Sequence, residues 1–183
     1  MLVADKTLWP LVAPLLERCS FEHVIAAGAG DVPEGAIDYE ELLAAADEAA
    51  FAYRDIDERA AAAMCYTSGT TGHPKGVVYS HRAIAVHALT VGPGIGLTPA
   101  DTVLPVVPMF HANAWCFPFS CTIVGAKQVL PGPHLDPVSL LEAFEQERVT
   151  ISAGVPTIWM GILQALDATP DRSQPSGVAS SAC

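Results

Sequence analysis

Positive charge is scarce in this chain: nine Lys and Arg stand against 20 Asp and Glu among 183 residues, a formal net charge of −11. Nucleic acid is bound mainly through clustered Lys and Arg, so it is excluded as an expected partner. Cysteine is sparse too. Cys19, Cys65, Cys116, Cys121 and Cys183 show neither C-x-x-C spacing nor the density of a disulfide scaffold, which points to free thiols and a reducing cytoplasm. Without a Cys/His quartet, Cys116 and Cys121 read as small buried hydrophobes rather than metal ligands. An uninterrupted apolar run is missing as well. The stretch from 103 to 124 is broken by Pro105, Pro108, His111, Asn113 and Pro118, a pattern costly in a lipid-facing helix, so no transmembrane segment is expected. The first residues lack a basic stretch followed by an apolar one, so no secretory leader is expected.

What remains is a chain that is 51% hydrophobic and 16% charged, enough to bury one sizeable core. The acidic charge is concentrated. Ten carboxylates between 31 and 58 face only Arg54, whereas from 60 to 135 Lys75, Arg82 and Lys127 face only Asp101. A segment able to hold a polyanion therefore follows an acidic, solvated one. Gly (14) and Pro (15) are scattered between short apolar runs, as turns joining short elements would be. Strands are expected at 23–27, 60–66, 77–79, 102–107, 127–130 and 150–153. Helices are expected at 39–50 behind Asp38, 81–91 behind Ser80, 111–122, from Pro137 onward, and 156–166. This alternation predicts an α/β fold with a largely parallel sheet flanked by helices. One domain is expected over 1–168, with a divergent, disordered tail at 169–183, where Ser, Pro, Gly and Ala replace periodic apolar residues.

One loop has the composition of an anion site. Thr67-Ser68-Gly69-Thr70-Thr71-Gly72-His73-Pro74-Lys75-Gly76 places four hydroxyls, three glycines and one of only three lysines within ten positions. Glycines let backbone amides approach an anion, hydroxyls donate without adding charge, and Lys75 supplies a positive point charge. It is not a Walker A loop, because Lys75 precedes Gly76 and a strand instead of Ser/Thr and a helix.

The run Y-T-S-G-T-T-G-H-P-K-G-V-V-Y-S-H-R-A, from Tyr66 to Ala83, resembles the phosphate-loop signature of the adenylate-forming superfamily of acyl-CoA synthetases, luciferases and peptide-synthetase adenylation domains. The resemblance implies that Thr67, Ser68, Gly69, Thr70, Thr71, Gly72 and Lys75 contact the phosphates of ATP, with Thr67 also helping to position Mg²⁺. P-M-F-H-x-N-A-W, from Pro108 to Trp115, is similar to the acyl-tunnel segment of medium- and long-chain acyl-CoA synthetases. That similarity implies Trp115 as a gate and His111 as a wall of the acyl or thiol passage. V-L-P-G-P-x-L-D-P from Val129 and A-G-V-P-T-I-W from Ala153 extend the match.

The resemblance thus implies a cytoplasmic fatty acid–CoA ligase using ATP, Mg²⁺ and coenzyme A, with a homodimeric parent. It covers only an internal part of the family's N-terminal domain. The Y-G-x-T-E adenine segment, the ribose-binding aspartate, the hinge and the small C-terminal domain with its catalytic lysine have no counterpart here. No catalytic residue is therefore expected within the chain, which is expected to lack turnover alone, as a truncated or frame-shifted product would. The alternatives are a non-catalytic nucleotide- or lipid-binding remnant, or a ligase for another carboxylic acid.

Overall fold

The computed structural model describes residues 1–68, 72–169 and 179–180. It divides into two compact units, Met1–Asp55 and Ile56–Cys183. The first carries a three-stranded parallel sheet of β1 (Leu2–Asp5), β2 (Val24–Ala27) and β3 (Ile37–Asp38), with helices α1 (Trp9–Leu16) and α2 (Tyr39–Ala44). Asp38 starts α2 by accepting from the Glu40 and Glu41 amides, two donors that the first helical turn would otherwise leave unpaired. Its carboxylate also pairs with Lys6 Nζ at 2.8 Å, the two side chains being only 13% and 10% exposed. The hydrogen bond from Lys6 is the main cause holding the Asp38 carboxyl below its ordinary range.

The second unit begins with an antiparallel hairpin, β4 (Ala61–Thr67) and β5 (Lys75–Ser80). Ser80 then accepts from the Ala83 amide and opens α3 (His81–Gly94). A parallel sheet follows in the order β7 (Lys127–Gln128), β6 (Thr102–Val106), β8 (Ile151–Gly154), β9 (Ala179–Ser180). The pleat of β6 explains its continuous apolar sequence. Leu104 and Val106 pack with Leu140, Leu141 and Phe144 of α6 (Pro137–Gln146) and Ile162 of α7 (Pro156–Ala168). Val103 turns the other way, onto Phe117 and Cys121 of α5 (Phe117–Val124). Both faces of the sheet are thus covered by helices. Beyond Thr169, only the β9 pair of the expected tail lies within the described residues.

The stretch 111–122, expected as one helix, is split. Ala112, Asn113, Ala114, Trp115 and Cys116 have φ of 46°, 52°, 50°, 53° and 68°, so the four-residue element α4 (Ala112–Trp115) is a left-handed turn. Right-handed helix resumes only at Phe117, which puts Pro118 in a first turn, where its missing N–H costs no hydrogen bond. Among the described residues, no helix is long and apolar enough to cross a membrane.

Candidate functional site

The hairpin presents the predicted anion loop at its tip. Thr67 ends β4 and Lys75 begins β5, and the two face each other in the strand register. Ser68 is the last described residue before the tip and Gly72 the first after it, while Gly69, Thr70 and Thr71 lie outside the described residues. Gly72 has a φ of 83°, a conformation that favours glycine. A Cβ at the exposed Gly76 would meet Met64 Sδ at 2.8 Å and the Tyr66 ring at 3.5 Å, so the flexible Met64 side chain would have to move aside. Thr67, Ser68, Gly72 and Lys75 are all exposed, and Lys75 forms no salt bridge among the described residues.

Beside the hairpin lies a cavity of about 750 Å³, within the usual size of a small-molecule site. One wall is α3. Ala83, Ile84, His87, Val91 and Gly94 recur at helical spacing and, with the C-cap residue Ile95, line the cavity, while Ala88 and Gly92 of the same helix are buried. The opposing wall is the left-handed turn, through Ala112, Asn113, Trp115 and Cys116, together with Phe117. Trp115 therefore lies in the cavity wall. His111, its companion in the sequence reading, is exposed and is not among the lining residues.

Two sulfur contacts hold the turn. The Cys65 thiol donates to Asn113 Oδ1 at 3.3 Å, and Cys116 Sγ lies 3.9 Å from the Ile84 carbonyl of α3. Because Cys65 is two residues before Thr67 on β4, the turn is anchored about 7 Å along the strand from the start of the loop. Burial raises the Cys116 thiol and pushes Cys121 up to about 11, with the Asp101 charge adding to the effect on Cys121. Both are kept as neutral thiols at pH 7, unsuited to nucleophilic chemistry.

No group of three or more His, Cys, Asp or Glu among the described residues is arranged to hold a metal ion. The oxygen donors at the hairpin tip are hydroxyls, which suit a hard cation held mainly by a bound phosphate rather than by the protein. Sequence reasoning missed the α3 wall. Its signal was the spacing of Ala83, His87, Val91 and Gly94, which resembles an ordinary amphipathic face.

A family model described as AMP-binding enzyme matches residues 8–181. A long-chain-fatty-acid–CoA ligase of Thermus thermophilus is 50% identical over 175 residues, covering 94% of this chain and 31% of that protein. A medium-chain-fatty-acid–CoA ligase of Ectopseudomonas oleovorans is 47% identical over 183 residues, covering 95% and 33%. The crystal structure of a long-chain-fatty-acid–CoA ligase from Archaeoglobus fulgidus superposes with a TM-score of 0.83 at 27% identity, over 97% of this chain and 34% of the other. The chain thus spans about a third of the length of the relatives it matches.

Proposed function

This chain belongs to the AMP-binding enzyme family, and on that premise we propose that it supplies the ATP-phosphate loop and the acyl pocket of a fatty acid–CoA ligase. The observation that carries the proposal is the Cys65–Asn113 contact. It joins the strand leading into the loop to the wall of an apolar cavity, so a nucleotide held at the loop and a fatty acid in the cavity would lie side by side.

In that reaction a fatty-acid carboxylate oxygen attacks the α-phosphorus of ATP, the bond to the β-phosphate breaks, and pyrophosphate leaves. Coenzyme A sulfur then attacks the acyl carbonyl and AMP leaves. The first step brings an anion to a polyanion, so donors aimed at the phosphates must offset the repulsion. Thr67, Ser68, Gly69, Thr70, Thr71, Gly72 and Lys75 take that role, with Lys75 providing the full positive charge. Thr67 would help hold Mg²⁺, which when bound neutralises developing phosphate charge. Trp115 closes the cavity over the alkyl tail, a large rigid face that excludes water at low rotamer cost. His111 stands outside the cavity, at the start of the turn that carries Trp115, where it can border the path of the incoming thiol.

The free thiols and the nucleotide substrate fit a cytoplasmic location. Sedimentation of the longer polypeptide tests the homodimer expected of it. The reading itself is tested by calorimetric titration of the 183-residue chain with ATP and, separately, with hexadecanoate. Saturable binding of both supports it, and binding of neither removes it.

A further inference from the structure

We propose that Gly94, at the end of α3, sets the longest acyl chain the cavity accepts. The inference rests on the reading of the cavity as an acyl pocket, and it concerns where that pocket ends.

Along α3, Ala83, His87 and Val91 each present a side chain to the cavity, and Gly94 continues the same stripe with none. Its neighbour Gly92 is a glycine for a different reason. A Cβ at Gly92 would meet Val124 at 3.3 Å and also come against Leu97 and Ser120, so that position is closed by packing on α5. A Cβ at Gly94 would meet nothing within 4 Å, and the backbone there is ordinary helix. No local packing or strain requires glycine at 94. Gly94 is exposed, so its missing side chain leaves the cavity open at that end of the stripe, where an added side chain would close it.

The length of that stripe matches the ligand. From Ala83 to Gly94 the helix rises about 16 Å. One leaflet of a bilayer's hydrocarbon core is roughly 15 Å deep, the reach of an ordinary long acyl tail. A tail laid along α3 from the Trp115 turn therefore reaches Gly94 only if it is long, and a short one ends before it. A side chain at 94 should reject long tails and ignore short ones.

The test uses the 183-residue chain with octanoate and hexadecanoate as probes, comparing Gly94→Leu and Gly94→Ala with the unsubstituted protein by calorimetry. Burial of each methylene is worth about a fourfold gain in affinity, so Gly94→Leu should weaken hexadecanoate about tenfold or more while leaving octanoate within about twofold. Gly94→Ala, which favours helix and so protects folding, should shift hexadecanoate in the same direction by about threefold. If circular dichroism shows the leucine variant unfolded, the alanine variant decides. Equal loss of both acids, or no change in either, overturns the role of Gly94 while leaving the acyl pocket intact. Failure of the unsubstituted chain to bind either acid removes the pocket reading, and this inference with it.

Discussion

Cys65 and Asn113, 48 positions apart in sequence, meet in a thiol-to-amide hydrogen bond of 3.3 Å. One belongs to the strand that delivers Thr67 and Ser68, and the other to the left-handed turn that carries Trp115.

Cys65→Ala removes the donor and leaves the half-buried Asn113 oxygen unpaired. The loss should cost about 0.5–1.5 kcal/mol in urea denaturation. It should also loosen the turn, changing the acrylamide quenching of Trp115 in a protein where Trp9 and Trp159 are replaced by Phe. A variant of equal stability with unchanged quenching would show that the contact holds nothing.

The turn itself should respond to glycine. Ala112 is exposed with a φ of 46°, a conformation that opposes Cβ to the following carbonyl and costs about 1–2 kcal/mol for an L-residue. Ala112→Gly relieves this at some cost in unfolded-chain entropy, for a net gain of roughly 0.5–1 kcal/mol. Ala112→Val should destabilise. Thermal melts of the two variants moving in the same direction would contradict the assignment of a left-handed turn.

Asp101 should make the second unit acid-sensitive. Its carboxylate accepts from the Thr98 amide at 2.8 Å, the Thr98 hydroxyl at 2.7 Å and the Thr150 hydroxyl at 2.8 Å. The Thr98 side-chain bond is the largest cause of a pKa below the ordinary 3.8, followed by that from Thr150. Because the folded-state pKa is depressed, the stabilisation is present above 3.8 and is lost as pH falls through the lower folded value. Asp101→Asn should cost about 1–3 kcal/mol at pH 7 and flatten the stability profile below pH 4. A variant whose profile parallels the unsubstituted one would remove Asp101 from the account.

How far the sequence carried this reading depended on how local the cause was. The Thr67–Gly76 loop was legible because its hydroxyls, glycines and lysine are crowded into one turn between two strand-like runs, and the hairpin is where they were expected. The stripe Leu140, Leu141 and Phe144 was legible by helical period and is buried as expected. The turn at 112–116 was not. Ala-Asn-Ala-Trp gives no sequence signal for a left-handed turn, and the contacts the turn makes, with Cys65 and the Ile84 carbonyl, come from other elements. β1 was missed because four residues followed by a proline-containing helix give no usable alternation. The α3 wall was missed because a cavity stripe and a core stripe have the same period. Only the fold shows that Ala83, His87, Val91 and Gly94 have open space before them.

If the proposed function holds, the hairpin tip grips the phosphates of ATP while the cavity beside it holds a fatty acid. The most direct test is fatty-acid-dependent ATP–pyrophosphate exchange by the polypeptide extended to the length of its relatives, with and without Lys75→Ala. Exchange should require the fatty acid and fall roughly 10²–10³-fold in the variant. Exchange that is undiminished without the lysine charge would contradict that function.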